Sequence, residues 1–167
     1  MKILVVSMFV VIIDQVSKFA VRYSFEYGRS QEIIDDLVRL TYVKNPGMAF
    51  GLQLGDQRFF TVFALIATII IFVYIFRARA EKLPLRFALA LILGGAVGNL
   101  IDRVLHQGVV DFIDIGIGST RWPIFNLADC AVTIGMAVLL TLILLDKTQK
   151  SEATQNEVTS VKRSPLF

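Results

Sequence analysis

Four stretches of mostly apolar residues, at roughly 3–21, 59–76, 85–105 and 124–145, constrain this chain more than anything else in it. A helix needs about 20 such residues to cross ~30 Å of hydrocarbon. Inside that layer only helices and closed barrels satisfy every backbone polar group. The second stretch, Phe59 to Phe76, carries no charge. Composition agrees: 55% of the 167 residues are apolar, above the about 45–50% of soluble domains, and mean hydropathy is +0.66. The expected fold class is therefore all-α membrane, with four transmembrane helices. Lys2 followed by Ile3–Ile13 imitates a secretory signal, but Asp14-Gln15 interrupts where a small-residue cleavage site would follow. The first stretch is read as a retained span.

The basic residues orient these spans. The 77–86 connection carries Arg77, Arg79, Lys82 and Arg86 against Glu81, and the tail has Lys147, Lys150, Lys162 and Arg163. By the positive-inside rule both termini and the 77–86 loop are cytoplasmic. Segments 22–58 and 106–123 then lie outside. In the first, Val38–Val43 alternates and is rich in β-formers, and Asn45-Pro46-Gly47 marks a turn. Val109–Ile115, closed by Gly116-Ile117-Gly118, is a second candidate strand, so a small extracytoplasmic β platform is expected over the helix ends. Residues 1–147 read as one membrane domain, and the polar, aperiodic 148–167 as a disordered cytoplasmic tail. The net charge of +3 sits on residues flanking the spans and does not point to nucleic acid.

Ionisable residues within spans cost roughly 2.5–3.5 kcal/mol each on insertion scales, so each needs a reason. Here they converge. Asp14 and Lys18 lie in the outer half of span 1, Asn99, Asp102 and Arg103 near the outer end of span 3, and Asn126 and Asp129 at the outer start of span 4. Asp111 lies in the loop joining the last two. Structural explanations compete with functional ones. Asp14 and Lys18, four apart, suit an intrahelical ion pair. Ala90, Gly94, Gly98 and Asp102 form a small-residue stripe that lets another helix approach, with Asp102 anchoring that neighbour. Asn99 and Arg103 share another face, where they could bind substrate polar groups or lipid phosphate. Asn126 suits an N-cap, with Asp129 three residues on, where an acid complements the helix dipole.

Catalysis gives a fuller account of Asp111 and Asp129. Two carboxylates sharing one proton supply a general base for water and a general acid for a peptide carbonyl. Sequence spacing permits them to meet without requiring it. This chemistry needs no metal or cofactor, and one histidine and one cysteine exclude a multi-histidine or cysteine-rich metal site and any internal disulfide. The rival nucleophile is Cys130 with His106 as base, although a lone buried cysteine usually behaves as a small apolar residue.

Five motifs now stand in order: Asp14-Gln15-Val16-Ser17-Lys18, Asn45-Pro46-Gly47-Met48-Ala49-Phe50, Gly94–Arg103, Val109-Val110-Asp111-Phe112 and Phe125-Asn126-Leu127-Ala128-Asp129. With them the chain resembles the bacterial lipoprotein signal peptidases (signal peptidase II) from Lys2 to about Asp146. The resemblance implies an intramembrane aspartic endopeptidase of the bacterial inner membrane, with Asp111 and Asp129 catalytic. The implied substrate is a diacylglyceryl-modified prolipoprotein, cut just before its lipobox cysteine. It further implies substrate-orienting roles for Asn45, Asn99, Arg103 and Asn126, and supporting roles for Asp14, Lys18, Gly47 and Asp102. Segment 22–58 would supply the β platform and a mobile cover. The enzyme is expected to meet membrane lipids and to act as a monomer. The alternative from another class is a small proton-coupled transporter, since intramembrane carboxylates also relay protons. It lacks an inverted repeat and any acid in the inner halves of the spans.

Overall fold

The computed structural model describes residues 2–47 and 57–163. In chain order these form helix α1 (Leu4–Ser24), strands β1 (Ser30–Ile34) and β2 (Val38–Asn45), helices α2 (Gln57–Arg77) and α3 (Leu83–His106), strands β3 (Val109–Ile117) and β4 (Thr120–Arg121), and helix α4 (Leu127–Arg163). Four helical segments are long and apolar enough to cross a membrane: Leu4–Ser24, Arg58–Ala80, Leu83–His106 and Leu127–Lys147. The large apolar side chains they leave exposed, such as Phe9, Phe63, Ile70 and Ile143, are where a bilayer would solvate them.

Helix α3 is the centre of the bundle, touching each of the other three helices, and its three faces differ for readable reasons. The Ala90–Gly94–Gly98–Asp102 stripe meets α1 in parallel register. Ser7 Oγ donates to the Ala90 carbonyl at 2.8 Å, and a Cβ on Gly94 would stand 2.7 Å from Val10 Cβ. One on Gly98 would stand 2.5 Å from Asp14 Oδ2. A second small face meets α4, where a Cβ on Gly95 would overlap the Ala128 carbonyl oxygen and one on Gly135 would lie 2.7 Å from that of Ala88. The third face is larger and greasier, and Leu89 and Leu93 pack there with Ile75 and Ala78.

The platform is a four-stranded antiparallel sheet in the order β1-β2-β3-β4. Its two inner strands are those expected; β1 and β4 are additional. An irregularity between Leu40 and Val43 shifts the register, so that Val43 stands opposite Asp111 and Asn45 opposite Val109. Val110 and Phe112 of β3 pack with Val21 of α1, and Leu40, Tyr42, Ile113 and Leu127 close around them. The sheet is thus seated on the C-terminal end of α1 and the N-terminal end of α4.

Two expectations fare differently. Backbone helix continues along α4 to Arg163, where the sequence reading expects a tail without regular structure. A segment that extends an existing helix escapes the nucleation cost that keeps short polar helices from forming alone. Met48–Phe50 of the second motif, and with residues 48–56 any cover over the site, lie outside the described residues.

Candidate active site

Asp111 and Asp129 reach the same place by different routes. Asp111 is the third residue of β3 and only 3% exposed. Its Oδ2 accepts from Asn45 Nδ2 at 3.1 Å, and its Oδ1 from Asn126 Nδ2 at 2.7 Å. Asp129 lies in the first turn of α4. There Asn126 Oδ1 accepts the Asp129 backbone N–H at 3.0 Å, and Asp129 Oδ2 accepts the Asn126 N–H at 3.1 Å. This is a reciprocal capping arrangement. The cap and the site are not alternatives: Asn126 caps with its carbonyl oxygen while its NH2 group holds Asp111.

Asn99 links the remaining parts. Its Nδ2 donates to Asp129 Oδ1 at 2.8 Å, and its Oδ1 accepts from Asn126 Nδ2 at 3.1 Å and Lys18 Nζ at 2.9 Å. Asn45 owes its orientation to the turn beside it. Gly47 N–H donates to Asn45 Oδ1 at 2.9 Å, which leaves the Asn45 NH2 for Asp111. Gly47 has φ +114, and a Cβ there would stand 2.7 Å from Phe60 Cδ2. Only glycine suits that position.

Beneath lies a fully buried ion cluster. Lys18 Nζ is 2.8 Å from Asp14 and 3.1 Å from Asp102, all three side chains without exposure. The expected intrahelical pair is present, yet each acid also ties two elements together. Asp14 Oδ1 accepts the Ala128 N–H at the start of α4 at 3.0 Å, and Asp102 Oδ2 accepts the Val110 N–H of β3 at 3.0 Å. Each catalytic candidate is therefore one residue from a backbone group pinned by this cluster. Gln15, to which sequence reasoning assigns no role, bridges the acids, donating to Asp14 Oδ2 at 3.2 Å and Asp102 Oδ1 at 3.1 Å. Its signal was its place inside the first motif.

Electrostatics set Asp111 apart from an ordinary carboxyl. Burial, and then the negative charge of Asp129, push the Asp111 carboxyl up to about 6, against the opposing hydrogen bonds from Asn45 and Asn126. Arg103 is half-buried and donates from Nη1 to the Asn99 carbonyl at 3.3 Å, while its Nε is buried with no partner among the described residues. Cys130 is half-buried, and no hydrogen bond joins it to His106 among the described residues. Two carboxylates joined through Asn126 in a partly desolvated site have the chemistry to activate water on one side of a carbonyl and protonate its oxygen on the other.

A family model described as signal peptidase (SPase) II matches residues 6–145. The chain is 40% identical to a lipoprotein signal peptidase of Syntrophus aciditrophicus, with 85% of this chain and 91% of that one covered. It is 44% identical to one of Moorella thermoacetica (87% and 94% covered) and 36% identical to one of Staphylococcus aureus (89% and 91%). A solved bacterial membrane enzyme superimposes with a TM-score of 0.77 at 36% identity, covering 89% of this chain and 91% of the other.

Proposed function

This chain belongs to the signal peptidase II family, and from that premise we propose that Asp111 and Asp129 are its catalytic pair. The protein is an intramembrane aspartic endopeptidase that removes signal peptides from diacylglyceryl-modified prolipoproteins, cutting before the lipobox cysteine. The observation that carries the assignment of the pair is the bonding of Asn126, which caps α4 at Asp129 while donating to Asp111 at 2.7 Å.

In the proposed reaction Asp129 is charged and takes a proton from water as the water oxygen bonds to the scissile carbonyl carbon. Asp111 holds the shared proton and gives it to the carbonyl oxygen. Collapse of the tetrahedral intermediate breaks the C–N bond, returns a proton to Asp111 and delivers the one on Asp129 to the departing cysteine nitrogen. The elevated pKa of Asp111 supports this division, and the titration belongs to the pair rather than to either member. Asn45, Asn99 and Asn126 hold the carboxylates and orient substrate. Arg103, with Nε unspent, offers N–H groups to a substrate carbonyl. Asp14, Lys18, Gly47 and Asp102 support these groups from behind.

Residues 1–147 act as one monomeric domain among membrane lipids. The basic 77–86 connection and tail face the cytoplasm, and the pair faces the extracytoplasmic side.

The test is release of the signal peptide from a purified diacylglyceryl-modified prolipoprotein. Asp111→Asn and Asp129→Asn each lower turnover by at least about 10²-fold, the lower range of an acid–base contribution, while substrate still binds. Cys130→Ala and His106→Ala leave it largely intact. Normal cleavage by either aspartate variant sinks the dyad, and loss of cleavage in the Cys130 variant at normal abundance favours the thiol.

A further inference from the structure

We infer that Lys18 is a positioning residue for this reaction: its ammonium fixes which way the Asn99 carboxamide points and so aims the Asn99 NH2 group at Asp129. The inference rests on the reading of Asp129 as half of the catalytic pair.

An ammonium has three N–H donors and no acceptor. Lys18 directs them at Asp14 (2.8 Å), Asp102 (3.1 Å) and the Asn99 carbonyl oxygen (2.9 Å). Charge neutralisation explains the first two. The third goes to a neutral group, and with Asp14 and Asp102 both at hand the charge does not require it. What that bond does is break a symmetry. The two ends of a carboxamide are nearly the same shape, so partners alone decide which end goes where. With Oδ1 toward Lys18 and Asn126 Nδ2, the Asn99 Nδ2 meets Asp129 Oδ1 at 2.8 Å. Turned over, the NH2 group would face an ammonium and a second NH2, and the carbonyl oxygen would face a carboxylate. All three contacts would oppose donor to donor or acceptor to acceptor, and nothing in a site this buried would relieve them.

Lys18 thus acts on Asp129 through one side chain and touches no reacting atom. The path is a chain of hydrogen bonds that begins on a cation and ends on the carboxylate required to be charged, and members of such a chain polarise one another. Among the described residues, Asp111, Arg103, Cys130, Asp14 and Asp102 are the other charged or titratable side chains around it.

A test must separate this role from mere balancing of buried charge. Lys18→Met combined with Asp14→Asn removes one charge of each sign and leaves the cluster's net charge unchanged. Asparagine also keeps an acceptor for the Ala128 N–H. In lipid or detergent, this double variant is expected to accumulate with a lowered unfolding temperature, because Asp102 loses its cation, and with a KM close to that of the parent. Its kcat should fall at least about tenfold, the worth of a hydrogen bond to a charged group. The acid limb of its pH–kcat profile should move to higher pH. Parental kcat in the folded double variant overturns the inference. Asn99→Asp reads the same geometry while leaving Asp14, Lys18 and Asp102 in place, although its carboxylate adds a third acid to the Lys18 ammonium, and carries the test alone if the double variant does not accumulate. It keeps an oxygen for Lys18 but turns a second oxygen toward Asp129, so the acid limb must again move up, and an unmoved limb overturns the inference. The dyad reading fails separately: normal cleavage by Asp129→Asn refutes it, whereas normal cleavage by the Lys18 variant leaves the dyad standing.

Discussion

Asp111→Asn should remove activity and free the fold of a penalty that the parent takes on as pH rises past 4. In the native site the Asp111 carboxyl titrates at about 6 against an ordinary value of 3.8, with burial the largest cause. A carboxyl whose folded pKa is raised favours folding while protonated. That contribution is fully present below the unfolded value and is lost as pH rises through the folded one. At 1.36 kcal/mol per tenfold, the interval corresponds to about 3 kcal/mol given up between pH 4 and 7. Asparagine has nearly the same shape and never ionises. It faces donors from both Asn45 and Asn126 and meets one of them with its own NH2, but that cost does not vary with pH. The informative quantity is therefore the stability of the variant minus that of the parent, followed by denaturation of both proteins in one detergent from pH 4 to 8. It should rise by about 3 kcal/mol across this range, or roughly 6–12 °C in unfolding temperature for a chain of this size. A difference that stays flat would show that Asp111 carries no ionisation strain, and the proton would then have no reason to reside on it.

Two further outcomes follow from the fold. In a Cys130→Ala background, a cysteine replacing exposed Glu32 should react with an impermeant thiol reagent in intact cells and one replacing Ala80 should not; the reverse pattern overturns the proposed orientation. Gly95→Ala, whose Cβ would overlap the Ala128 carbonyl oxygen, should cost about 1–3 kcal/mol of stability by overpacking. By moving Asn99 away from Asp129 it should also lower kcat by at least about tenfold; parental stability and kcat together would show that α3 and α4 are not held in close register.

The spans were legible because hydropathy summed over twenty residues is a strong additive signal, and all four helices lie within a few residues of the expected stretches. The strands Val38–Asn45 and Val109–Ile117 were legible from alternation. β1 was not: Ser30, Gln31 and Glu32 open it, all five of its residues are exposed, and no apolar face marks it. Local side-chain geometry was also readable, since the Asp14–Lys18 pair and the Asn126–Asp129 cap each close within one helical turn. The wiring between elements was hidden. Sequence shows that Asp14 is polar and intramembrane, but not that it accepts the N–H of a residue 114 positions away. It places Asn99 on a helix face without saying that Lys18 stands on one side and Asp129 on the other. Periodicity reports which way a side chain leaves its helix and is silent about which neighbour it meets. The two aspartates came forward from the chemistry of paired carboxylates, and the resemblance carried by the five motifs implied them as the catalytic pair, because spacing alone left the cap and the dyad as competing explanations.

The small-residue stripes and the acid cluster, read separately in the sequence, are one device. An aspartate side chain is short, and bridging from α1 to the first turn of α4 requires both helices to lie almost against α3. Gly94 and Gly98 bring α1 in, and Gly95 and Gly135 bring α4 in, each so near that a Cβ would collide. Only then can Asp14 span from Lys18 to the Ala128 N–H. Asp102 performs the matching task for β3 through the Val110 N–H. A buried ion cluster contributes little net stability and is costly when a partner is missing, so stability alone is a weak reason to build one here. What it supplies is register. It fixes the backbone at residues 110 and 128, the immediate predecessors of Asp111 and Asp129, so the relative position of the two carboxylates is set by ion pairs in a helix core as well as by the strand and helix that carry them. The proposed catalytic pair, assembled from a strand and a helix terminus, needs such a reference point, because neither element alone determines where the other's carboxylate will be.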